Sequence, residues 1–244
     1  SHGLNVAARV CCFRFGDMAH AAALHDESAA NARRGGALAG EVDALAQRAF
    51  CLALTGDLPT GEAALGRPQL LADRLGPSHR VRFVVEVLAA SAVAHVRGDG
   101  PFRLWADAAR GAVTDPVAGA NVTAPTLAAF AAWAYAMAGD APAAAAVMAD
   151  IIPIFETFPV RDYTLNGGTV VLGRAAWELQ VPTHAAALLA IAQRLLDAGI
   201  DESAFGPVAA TAAALASLVG DDRAALHLFA DARAALALQD RPPL

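Results

Sequence analysis

The dipeptide Gly-Asp recurs along the chain at Gly16-Asp17, Gly56-Asp57, Gly98-Asp99, Gly139-Asp140 and Gly220-Asp221. Successive glycines stand 40, 42, 41 and 81 residues apart, so the last step is two ordinary steps. A disguised copy is expected near Gln180, where AAWELQVPTHAAALL carries two apolar runs and Gln180-Val181-Pro182 at the break. Six units of roughly 41 residues then account for all 244. A fixed period of this size marks stacked helical repeats, in which each unit is too small to bury its apolar face alone.

The break itself has a mechanism. Glycine suits the left-handed position that ends one helix, and aspartate accepts from the free N–H groups that begin the next. Pro59, Pro101 and Pro142 each follow three residues after the glycine, where a first-turn proline is tolerated, and Pro182 does the same in the disguised copy. Each unit therefore reads as helix A, break, helix B and a looser link. The expected pairs are Leu4–Phe15 with Met18–Arg33, Glu41–Thr55 with Pro59–Arg74, Arg80–Arg97 with Pro101–Val113, Pro125–Ala138 with Ala141–Phe158, Leu165–Leu179 with Pro182–Ala198, and Glu202–Val219 with Asp222–Gln239. Pro153 is expected to kink or end its helix. Links are expected at Gly35-Gly36, Gly76-Pro77-Ser78, Gly111–Ala124, Phe158–Gly168 and Gly199–Ser203, with Gly167-Gly168 read as turn.

Seven residues before each break from the second unit on stands a small side chain: Ala49, Ser91, Ala132, Gly173 and Ala213. Short side chains let helices approach closely, and the expected neighbour is the unit's own helix B. Alanine favours helix but buries little area, so Leu, Phe and Val on the helical stripes carry the hydrophobic stabilisation. In the fourth unit that stripe is Leu127, Phe130, Ala134 and Met137.

These breaks, above all Ala49–Asp57, Ala132–Asp140 and Ala213–Asp221, and the closing run Phe229–Leu236, resemble a known pattern. It is similar to the tetratricopeptide-like superhelical (α-solenoid) domain of large actinobacterial LuxR-type regulators and related multidomain nucleotide cyclases. The superhelical domain of the maltose-operon activator is similar in style. The resemblance covers the chain, although the units are longer than ordinary tetratricopeptide repeats and lack their Trp/Leu-Gly/Tyr signature. It implies one all-α repeat domain over residues 1–244, a piece of a larger cytoplasmic protein. It also implies a non-catalytic sensor or docking role in transcription or signalling.

Composition narrows the chemistry. Eighteen basic residues against 24 acidic give a net charge of −6, and every basic residue is arginine. Without lysine there is no Schiff-base lysine, P-loop lysine or Ser–Lys dyad. Without a basic cluster, direct contact of this segment with nucleic acid is not expected. No positively charged leader precedes the first apolar run, and the uncharged stretch Pro116–Gly139 reads as a buried helix rather than a membrane span. Asn121-Val122-Thr123 fits a glycosylation sequon by chance. Cys11, Cys12 and Cys51 are an odd count without ligand spacing and read as reduced thiols, with no metal and no cofactor expected.

Catalytic constellations are sparse. His20, His25, Asp26 and Glu27 lie together in sequence but lack zincin or di-iron spacing, and His25-Asp26 has no placeable partner pair. A helical enzyme built on them is the alternative to a binding module, and a structural or dimerisation spacer is a third reading. Asp221-Asp222 reads as an N-cap and a first-turn acid. The expected ligand-binding set lies on successive A helices: His95, Trp133, Tyr135, Arg174 and Trp177, with Glu178 beside Arg174. Aromatics there would cover an apolar body and Arg174 would take an acidic group, which suits a peptide or a carboxylated small molecule.

Overall fold

The computed structural model describes residues 2–75, 81, 84–114, 124–161 and 163–238. The links expected at Gly76-Pro77-Ser78 and from 115 to 123, and the sequon, lie outside them. The protein is all-α, and its chain forms two compact units, Ser1–Gly100 and Pro101–Leu244.

The first unit holds α1 (His2–Phe15), α2 (Met18–Arg34), α3 (Leu38–Leu54), α4 (Leu58–Ala72) and α5 (Ala90–Arg97). A short 3₁₀ turn, Asp73–Leu75, extends α4, and a π-wound stretch, Val84–Ala89, leads into α5. Helix α3 is the centre of this unit, packed by α2, α4, α5 and the π-wound stretch. Its Glu41 is buried and bridges two neighbours, accepting from Arg33 Nε of α2 and Arg67 of α4, both at 2.9 Å. Burial opposes ionisation of Glu41, but the two guanidiniums outweigh it and hold the carboxyl below its usual range.

The second unit holds α6 (Phe102–Thr114), α7 (Ala124–Met137), α8 (Ala141–Thr157), α9 (Tyr163–Glu178), α10 (Ala185–Asp197), α11 (Val208–Leu218) and α12 (Asp222–Leu238). Helices α7, α9 and α11 pack side by side in chain order, and α8, α10 and α12 each pack on the helix before them. Edge-to-face aromatic contacts run from Trp105 through Phe102, Trp133 and Phe130 to Phe205 at ring separations of 5.5 to 6.0 Å. Arg194 of α10 reaches the end of α8, donating to the carbonyls of Glu156 at 2.6 Å and Phe158 at 3.1 Å. Those carbonyls lack helical partners, so the guanidinium caps its neighbour.

The breaks form as the sequence chemistry dictates. All five glycines adopt left-handed φ, between 62° and 85°. Gln180 is the one non-glycine described residue with positive φ, at 52°, and occupies the disguised break, fifth of the six in chain order. Its backbone N–H bonds to Trp177 and that of Val181 to Ala176, the same pair of bonds made by Gly139-Asp140 and Gly220-Asp221. Its side-chain amide donates to the Trp177 carbonyl at 2.7 Å, which offsets part of the cost of this backbone. Asp17, Asp57, Asp140 and Asp221 cap the following helices by accepting from the N–H three residues on, at 3.0 to 3.2 Å. Asp57→Ala is expected to lower the urea midpoint of the first unit, because the Thr60 N–H loses its acceptor.

Four expectations are corrected. Pro153 does not end α8, which continues to Thr157. Pro153 and Ala149, whose carbonyl the ring deprives of a donor, are both exposed, so the missing bond falls on the solvent side of the helix. Gly167-Gly168 is not a turn but lies inside α9, because a Cβ on Gly168 would meet the Phe155 ring, its Cε2 at 2.6 Å. Glu202 does not begin a helix: Glu202–Ser203 (β1) pairs antiparallel with Gly206–Pro207 (β2), and α11 begins only at Val208. Asn166 of α9 donates to the Glu202 carbonyl at 2.6 Å and holds this hairpin down.

The fourth correction concerns the small residues. Ala49, Ser91, Ala132, Gly173 and Ala213 are all buried. Gly173, however, faces the next helix A rather than its own helix B: an added Cβ would run into Thr211 Cγ2 and stand 3.2 Å from Leu215 Cδ1. Close approach between a helix and its own successor occurs instead at Gly61 of α4, where an added Cβ would stand 3.1 Å from the Ala53 backbone of α3.

Candidate functional site

The position of helix A decides what the expected binding residues can do. Helix α7 is packed by α6, α8 and α9, and every residue from Leu127 to Ala136 is buried. Trp133 and Tyr135 therefore face protein. Trp133 sits edge-on to Phe102 and Phe130, and the Tyr135 hydroxyl donates to Asp107 Oδ1 of α6 at 2.6 Å. Burial first, then the bond to Asp107, push the Tyr135 pKa up. Arg174 and Trp177 of α9 reach the surface, with Arg174 Nε 4.0 Å from Glu178 Oε1 across one helical turn. His95 of α5 is half-buried in the first unit. Of the expected set, Arg174 and Trp177 keep surface available for a ligand, and Trp133 and Tyr135 hold helices together.

The alternative set does not converge. His20, Asp26 and Glu27 are exposed, while His25 of α2 is 1 % exposed and turned inward. Asp26 pairs instead with Arg48 of α3 at 3.3 Å. Neither ring nitrogen of His25 has a hydrogen-bond partner, and burial pushes its pKa down to about 4, assisted by Arg9 and opposed by Asp43. Asp43 is held by Arg9 at 2.9 Å and by Asn5 at 2.7 Å, both from α1. A neutral imidazole fits this position and a charged one does not.

Between α10 and α12, both seated on α11, opens a cleft of about 760 Å³. Along α12 it is lined by Arg223, Ala224, His227, Leu228, Asp231 and Ala235, a stripe at helical spacing. That stripe spans about 18 Å, or about three turns. Gln193, Leu196 and Asp197 of α10 form the facing wall, and Pro207 and Ala209 belong to the floor. Asp197, Asp201, Asp221 and Asp231 outnumber the cationic Arg223, and His227 lies 2.9 Å from Asp231. The cleft is an apolar trough with an acidic rim.

Sequence reasoning missed this site because its residues come from α10, β2, α11 and α12 and from the links at Asp201 and Asp221, and most of the signal lies on helix B. The legible trace was the spacing of Asp197, Asp201, Asp221 and Asp231 around the last break. Among the described residues no helix is long and apolar enough to cross a membrane. Comparison with protein families, with curated proteins and with solved structures yields no match.

Proposed function

We propose that this chain is a non-catalytic docking module of the helical-repeat kind, which receives a cationic amphipathic helix of a partner protein in the cleft between α10 and α12. The carrying observation is the acidic rim over an apolar floor along three helical turns of α12. A helix laid in a groove presents anchors at i, i+3, i+4 and i+7, which matches a trough walled by two helices. Arg or Lys on its flanks would meet Asp197, Asp201 and Asp231, and that complementarity governs partner choice and association rate. The serial packing of α7, α9 and α11 and the equivalent breaks support a helical-repeat array; the place in a cytoplasmic regulatory protein of LuxR type rests on the sequence resemblance alone.

The test uses a fluorescent synthetic helix with leucines at i, i+3, i+4 and i+7 and arginines on both flanks. Anisotropy is expected to show saturable binding that weakens with salt. The double reversal Asp197→Arg/Asp231→Arg should weaken it at least about tenfold. Arg174→Ala and Arg48→Ala, both outside the cleft, should leave it unchanged. Equal binding of a peptide with glutamates in place of arginines, or loss in the Arg174 variant alone, contradicts the assignment.

A further inference from the structure

Cys12 Sγ stands between the sulfurs of Cys51 and Met18 where α1, the start of α2 and α3 come together. The Cys51 thiol donates to Cys12 Sγ across 3.8 Å, and the Cys12 thiol donates to Met18 Sδ across 3.5 Å. Cys51, Cys12 and Met18 are 0 %, 1 % and 5 % exposed. No three His, Cys, Asp or Glu side chains gather as a metal set among the described residues, and here a thioether supplies the third donor.

The Cys12–Cys51 separation of 3.8 Å fits a common ion, and the Cys12–Met18 separation of 3.5 Å is about 0.3 Å short of it. Metal–sulfur bonds of about 2.3 Å place two sulfurs on one ion about 3.8–4.0 Å apart. We propose that Cys12, Cys51 and Met18 form a binding site for a monovalent soft metal ion, Cu(I). Two thiolates and a thioether are the soft donors that select this ion. Zinc sites take four donors from thiolate, imidazole and carboxylate, so a thioether disfavours zinc. On binding, one Cu(I) replaces the two thiol protons, two Cu–thiolate bonds and one Cu–thioether bond form, and no electron moves. The resulting site carries one negative charge. The neighbouring thiol of Cys11 is half-buried and lies outside the trio.

The experiment is an anaerobic titration of the reduced full chain with Cu(I) against bicinchoninate as competing chelator. One Cu(I) per chain is expected, with sulfur-only coordination at about 2.3 Å by X-ray absorption. Cys12→Ala and Cys51→Ala should each weaken binding by about a hundredfold, and Cys11→Ala should not change it. Met18→Leu, which preserves volume, should weaken it about tenfold with an unchanged far-UV spectrum. If the alanine variants unfold, the Met18 variant decides, because unchanged affinity there overturns the site. No uptake against the chelator, or uptake that depends on Cys11 rather than Cys12, also overturns it.

Discussion

Replacing Gly173 with leucine is expected to destabilise the second unit by about 3 kcal/mol, read as a lower urea midpoint at unchanged slope. Helix α9 approaches α11 so closely that a single added methyl already collides with Thr211 Cγ2, and Leu215 stands directly behind it. Both neighbours are buried on a helix backbone, so neither can swing into solvent. Gly173→Ala separates the opposing effects. Helix propensity favours alanine by about 1 kcal/mol, and overpacking costs about 1–3 kcal/mol, so a net loss of about 1 kcal/mol is expected. Thr211→Ala removes the colliding methyl, and the double variant should therefore recover about 1 kcal/mol relative to additivity. Strict additivity would show that α9 and α11 do not meet at this pair.

Acid should destabilise the first unit well before its carboxylates titrate. His25 has a folded-state pKa of about 4 against an unfolded value of 6.5, so the unfolded chain binds the proton first. Stability is fully present above pH 6.5 and falls as the pH drops towards 4. The loss amounts to about 2 kcal/mol at pH 5 and about 3 kcal/mol at pH 4 and below. Chemical denaturation at pH 7.5, 6 and 5 measures it, and His25→Leu should flatten the profile. The cause is burial: α1 and α3 enclose the imidazole without offering either nitrogen a partner, and Arg9 adds an unfavourable positive charge. An unchanged slope in the His25→Leu variant would assign the acid sensitivity elsewhere.

Much of the architecture is written in local chemistry that a linear reading can follow. A glycine or an unlucky glutamine at left-handed φ, followed by an aspartate that accepts three residues on, needs no knowledge of the rest of the chain. That is why the breaks, including Gln180, were legible. Gly167-Gly168 misled because glycine serves both turns and close helix contacts, and only the position of Phe155 distinguishes them. The hairpin before α11 was hidden because two-residue strands leave no period, and Pro207 fits a helix start as well as a strand end.

The site was less legible for a related reason. An alanine-rich helix such as α7 is apolar on every side, so its sequence does not reveal which face meets solvent, and it has none between Leu127 and Ala136. Trp133 and Tyr135 therefore read as ligand-facing when they hold α6 against α7. The acidic cleft and the three sulfurs join residues far apart in the chain. Spacing rules do not reach across such distances.

Selection of random peptides of about 15 residues against the immobilised chain most directly tests whether the cleft is a docking surface for a cationic helix. The predicted winners carry Arg or Lys flanking leucine-type anchors at i, i+3, i+4 and i+7, and the Asp197→Arg/Asp231→Arg variant loses them. Winners rich in Asp and Glu, or the same winners emerging against that variant, would contradict it.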